Sequence, residues 1–162
     1  MSEEDAIVRY LADWVEGYAR YKATFASRVT EVKHAGSTVR VTLSDGIENY
    51  LIMPFELDLG AAEAACASEG ERTIIVALNM KEMLGQLISQ WERLITMRNL
   101  RVVMANPFSK KETRWVISPA IHHRWTDPSS LEKGLKSLFR TVDPLTKEKA
   151  LAKAGKAVKS SS

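Results

Sequence analysis

A single cysteine, Cys66, stands in the chain, so no internal disulfide can form and a cysteine-based zinc site has too few ligands. That scarcity fits a reducing compartment, and the cytoplasm is the expected location. No apolar run reaches the length that spans a bilayer, so no membrane partner is expected. The opening Met1-Ser2-Glu3-Glu4-Asp5 is acidic where a secretory signal is basic and then apolar. A glycine-rich phosphate loop, a nucleophile elbow, a zinc signature and an internal repeat are all missing. No residue pattern therefore announces nucleotide-, serine- or zinc-based chemistry, and no cofactor is expected.

What is present is ordinary globular material. The 162 residues are 45% hydrophobic and 27% charged, far from the composition of a disordered chain and long enough to bury a core without staples. The expectation is one α+β domain over residues 1–143, followed by a basic, flexible tail over 144–162. The net charge of +3 conceals a polarity along the chain. Residues 1–92 carry 8 Lys/Arg against 15 Asp/Glu, residues 93–142 carry 10 against 3, and residues 143–162 carry 5 against 2. A basic C-terminal half would attract DNA, RNA or another polyanion, unless folding interleaves the halves and cancels the asymmetry.

Hydrophobic periodicity orders the elements. Ile7, Leu11, Trp14, Val15, Tyr18 and Tyr21 recur at spacings of three and four, predicting a helix over 3–26 whose acidic start suits the positive end of its dipole. From Arg28 to Leu57 the period becomes two, as in Val39/Val41/Leu43, predicting an antiparallel meander with turns at Ala35-Gly36-Ser37 and Ser44-Asp45-Gly46. The Asp45-Gly46 pair is of the kind used where a turn needs positive φ. Tyr50 to Leu57 reads as the third strand, with Pro54 marking an edge or a bend. A short helix or ordered connection is expected over 59–71. Residues 73–78 are a continuous apolar run of the buried type and 100–105 read as a second buried strand, the two parallel and joined by a helix that Asn79 would cap and that runs to about Met97. Arg114–Ser118 reads as a further short strand. A C-terminal helix starting near Pro128 carries Leu131, Leu135, Leu138 and Phe139, and Pro144 ends the folded part. The expected architecture is thus an N-terminal helix, an antiparallel meander, a strand-helix-strand crossover and a C-terminal helix on a mixed central sheet.

This order, with Ile75-Val76-Ala77-Leu78-Asn79 leading into Leu84-Gly85-Gln86-Leu87-Ile88-Ser89-Gln90-Trp91, resembles the core of PD-(D/E)xK nucleases, the restriction-endonuclease-like family. The resemblance covers roughly residues 3–106. It implies an Asp on one strand and an acidic-x-Lys triplet on the next, which together hold a magnesium ion that activates water beside the scissile phosphate. Asp58 or Asp45 would stand for the first Asp. The triplet positions read Ala77-Leu78-Asn79, so both essential side chains are absent. Related exonuclease domains carry a Gln and, four residues on, a Tyr; Gln86 fits, and Gln90 replaces the Tyr. The resemblance therefore implies a vestigial site of Asp58, Ala77, Asn79 and Gln86 without catalysis. Lys81 and Glu82 could substitute from the helix only by moving the metal, and a solvated first helical turn explains them more simply.

Other constellations are thinner. His122 and His123, with Asp127 four residues on, offer ligands by type, but neighbours on an extended chain point to opposite faces, so no metal site is expected. His34 reads as exposed. Arg98, Arg101, Lys110, Lys111, Arg114 and Arg124, interleaved with Phe108, Trp115 and Trp125, form the candidate phosphate-contacting surface, although both tryptophans could equally be core. The leading expectation is a non-catalytic nucleic-acid-binding or scaffolding domain. An interaction module or homodimeric subunit is the first alternative, and a metal-dependent nuclease with a migrated active site the second.

Overall fold

The computed structural model describes the backbone of residues 2–160 and the side chains of residues 2–157. Helix α1 (Glu3–Lys22) begins in a capping box: Asp5 N–H donates to Ser2 Oγ at 3.1 Å, and Ser2 N–H donates to Asp5 Oδ2 at 3.2 Å. The Ser2 hydrogen bond also holds the Asp5 carboxyl below its usual range. α1 ends four residues short of the predicted boundary, at Lys22.

Among the described residues six strands follow in one sheet, ordered as in the sequence: β1 (Val29–Ala35), β2 (Thr38–Leu43), β3 (Gly46–Ile52), β4 (Glu71–Leu78), β5 (Leu100–Ala105) and β6 (Arg114–Ile117). β1 to β3 pair antiparallel, β3 to β5 parallel, and β5 with β6 antiparallel, which is the mixed sheet of the expected α+β class. The two parallel connections run through α2 (Leu59–Cys66) and through α3 (Lys81–Ser89) with α4 (Trp91–Leu94). α5 (Pro119–Trp125), a 3-10 turn (Pro128–Ser130), α6 (Leu131–Phe139) and α7 (Lys147–Ser160) complete the described chain. Among the described residues no helix is long and apolar enough to cross a membrane.

The sheet separates two helical layers. Ile7, Leu11, Val15 and Ala19 of α1 are buried on the meander side, and Tyr18 of α1 meets Tyr50 of β3 edge-on at 6.5 Å. On the opposite face α2 joins α4 through a Glu63–Arg93 ion pair, and α4 meets α5 where Trp91 contacts His122 at 5.7 Å.

Five expectations are corrected. The third strand ends at Ile52 rather than Leu57; Pro54 lies beyond it, its carbonyl accepting from Leu78 N–H at 3.3 Å. Gly46 opens β3 and lacks positive φ; among the described residues only Gly36 and Gly70 have it, and the β2–β3 hairpin turns on Ser44 and Asp45. The helix predicted to reach Met97 breaks at Gln90, whose φ of −106° and ψ of 14° leave the helical region. Its N-cap is Met80 rather than Asn79, because the Asn79 side chain is held elsewhere. Finally, the segment expected to be a flexible tail forms α7, with Ala150 and Ala154 fully buried and packed on α1. Two alanines one turn apart hide little area, but they let helix backbones approach closely.

Candidate nucleic-acid interface

The site starts from the period of β3. Alternation turns Glu48, Tyr50 and Ile52 toward α1, and the parallel register carries the row onward: Glu48 lies opposite Arg72, and Tyr50 opposite Ile74, which lies opposite Arg101. On β6, Arg114 is paired with Ala105 and shares that face.

Glu48 is the focus, with only 2% of its surface exposed. A buried carboxylate is costly unless paired and hydrogen-bonded. Lys22 Nζ, from the last residue of α1, donates to Glu48 Oε2 at 2.9 Å, Tyr50 Oη donates to Glu48 Oε1 at 2.9 Å, and Arg72 Nε lies 3.8 Å away. Burial, reinforced by the Glu48 charge, pushes the Tyr50 phenol well above its ordinary value of 10.0. The folded state thus holds this proton more tightly than the unfolded state. Tyr50's contribution to stability is complete below pH 10.0 and declines as pH rises past it. Denaturation at a series of alkaline pH values is expected to show that decline, and Tyr50→Phe is expected to flatten it. Equal slopes in the two proteins would contradict this assignment.

Around this network lies an aromatic ladder. Trp14 and Tyr18 stack at 5.4 Å, and the Arg114 guanidinium lies 4.8 Å from the Tyr18 ring centre and 5.7 Å from that of Tyr21. Lys22 also lies 5.3 Å from the Tyr18 ring. Further along α1, Tyr10 stacks on Phe108 at 5.0 Å, and Lys153 of α7 sits over Phe108 at 5.4 Å. Tyr21 is 79% exposed, leaving most of its ring to solvent. One side of the sheet thus combines Lys22, Arg72, Arg101 and Arg114 with stacked rings around a single buried carboxylate. Asp45, 3.9 Å from Arg72, borders it.

Of the six cationic residues expected to form a surface, Arg101 and Arg114 belong to this face. Lys110 and Lys111 lie in the β5–β6 loop beside Asp143, which accepts from Lys110 N–H at 2.9 Å and lies 3.9 Å from Lys111 Nζ. That backbone hydrogen bond holds the Asp143 carboxyl below its usual range. Arg98 is exposed in the turn before β5, and Arg124 belongs to α5 on the opposite layer, so the six do not make one patch. Trp115 is buried at 4% exposure, whereas Trp125 is 84% exposed.

The residues of the expected vestigial site have structural partners. Asp58 caps α2, accepting from Ala61 N–H at 3.0 Å. Gln86 braces the chain before it, accepting from Leu57 N–H at 2.8 Å. Ala77 is fully buried. Asn79, also fully buried, donates to the carbonyls of Phe139 at 3.2 Å and Val142 at 3.1 Å and accepts from Trp115 Nε1 at 2.8 Å. Asp45 sits at the other end of β3, in the hairpin turn. Lys81 and Glu82 are exposed in the first turn of α3. His34 meets Glu16 at 2.9 Å. His122 and His123 are on a helix rather than an extended chain, and Asp127 accepts from Ser129 N–H at the 3-10 turn. Among the described residues no group of three or more His, Cys, Asp and Glu side chains could hold a metal ion.

Sequence reasoning missed Lys22, Arg72, Tyr18, Tyr21 and Glu48 as parts of one surface. One local signal was readable: a Glu in phase with Tyr50 and Ile52 on an alternating strand needs a cation from elsewhere. Comparison of the chain with protein-family models, with curated proteins and with solved structures returns no match.

Proposed function

We propose that the chain is a non-catalytic nucleic-acid-binding domain that takes a single strand across the α1 side of its sheet, on a scaffold resembling a depleted nuclease core. The observation that carries this reading is Arg114 lying across Tyr18 and Tyr21 on the face that also holds Lys22, Arg72 and Arg101. Cations track phosphates, and exposed rings accept bases of any sequence on their π faces. Helix α1 followed by three antiparallel strands, α2 and a parallel β4 supports the scaffold resemblance. The polar groups of Asn79 and Gln86 are engaged in structural hydrogen bonds, which favours binding without cleavage.

The test is fluorescence anisotropy of a labelled 20-nucleotide single strand at rising salt, with the oligonucleotide recovered intact in magnesium or manganese. About four phosphate contacts give a log–log slope near −3 for a single strand. Arg101→Ala with Arg114→Ala is expected to flatten the slope by about 1.4. Absence of binding at low salt, or a slope indifferent to the double variant, removes the reading. An interaction module would then take its place, favoured by Ile121 and Trp125, which are 50% and 84% exposed one helical turn apart on α5.

A further inference from the structure

On the opposite face of the sheet, away from the basic surface, α3, α4, α5 and α6 leave a cavity of about 490 Å³ between them. That lies within the size range of small-molecule sites. Its apolar walls are Ile88, Trp91, Ile95 and Leu131. His122 stands edge-on to the Trp91 ring, 5.7 Å between centres and at 88°. The His122 Nε2 atom is shielded from solvent and has no hydrogen-bond partner. An imidazole nitrogen left in that state gives up the hydrogen bonding that water would supply, and a donor brought to it would recover that loss. Glu92 and Asp127 also line the cavity, giving its polar part a negative formal charge.

We propose that this cavity binds a small organic cation: a protonated amine carried on an aromatic or branched apolar body. Three features select that class. The walls accept an apolar body, and the Trp91 ring favours a cation near its face. The His122 ring lines the cavity, and once it turns to face the ligand its Nε2 accepts from an ammonium N–H in the tautomer that carries its proton on Nδ1. The two carboxylates favour positive over negative ligands of the same shape, because an anion would meet uncompensated like charge as it lost water. The site does not depend on nucleic-acid binding, since none of its lining residues belongs to the basic face.

Tryptamine, indole and indole-3-acetate share one ring system and differ in charge, which makes them suitable probes for the full-length protein. Titration calorimetry is expected to rank tryptamine first and indole-3-acetate at least tenfold weaker. Amide signals in two-dimensional NMR are expected to shift within residues 88–95 and 118–131. Glu92→Gln, at an exposed position, should reduce the discrimination between the two charged probes at least threefold. His122→Phe keeps a ring against Trp91 and should weaken tryptamine at least fivefold. Should that variant not fold, Leu131→Trp, which fills the cavity from its wall, should abolish binding instead. No binding of any probe at millimolar concentration, equal affinity for cation and anion, or shifts confined to other residues would overturn the proposal.

Discussion

Asn79→Ala is expected to lower the free energy of unfolding by about 3–5 kcal/mol, since each stranded buried polar group costs about 1–3 kcal/mol. Its amide joins two segments distant in sequence: Trp115 of β6, and the stretch that ends α6, through the carbonyls of Phe139 and Val142. The backbone of the same residue donates to Ala105 O at 2.8 Å and accepts from Leu145 N–H at 3.0 Å. Alanine keeps those two bonds and loses the side-chain three, leaving the buried Trp115 indole N–H and Val142 carbonyl without partners. Urea denaturation with an unchanged m-value would report the loss as stability rather than as altered unfolded-state compactness. Because Leu145 leads directly into α7, hydrogen exchange is expected to rise first over 142–157. A loss below about 1 kcal/mol would mean that water reaches the stranded groups and that Asn79 is no keystone.

Glu48→Leu is expected to cost about 3–5 kcal/mol, the range for removing one partner from a buried ion pair. The Lys22 ammonium and the Tyr50 hydroxyl would both lose an acceptor, in a place where Tyr50 is fully buried. Glu48→Gln keeps an acceptor oxygen for one of them and should cost about 1–2 kcal/mol. The same substitutions are expected to act in the opposite sense on nucleic-acid binding. Removing a buried negative charge from beside the proposed path of the phosphates relieves an unfavourable Coulomb interaction and is expected to tighten binding. Anisotropy at low salt, below the unfolding temperature of both variants, measures that gain. A variant that loses stability and also loses affinity would place Glu48 outside the electrostatics of the surface, and with it the proposed path of the strand.

Local pattern carried the class of the fold. Period two over the meander, the continuous apolar run at 73–78, the mostly apolar 100–105 and the 3.6-residue stripe of α1 each depend on neighbours within a few residues, and each pattern marks an element of the type it predicts. Boundaries were less legible, because a proline or a helix break is decided by what the next segment packs against; Pro54 O still bonds to Leu78 N–H of β4, yet the regular pairing of β3 stops at Ile52. α7 escaped the sequence reading for the same reason. Ala150 and Ala154 look indifferent to burial until α1 presents a surface that small side chains fit. The candidate surface was half readable. Arg101 and Arg114 stand out by type, but their gathering with Lys22, Arg72 and Glu48 depends on strand register and on where α1 ends, which are properties of pairing across the sheet. Lys110, Lys111 and Arg124 have the same charge in the sequence, and only the folded chain sets two of them beside Asp143 and the third behind the sheet. Residue type and spacing thus determined which elements form and which charges the chain carries. Tertiary structure alone decided which charges meet, because Coulomb and hydrogen-bond energies depend on distances that no local pattern contains.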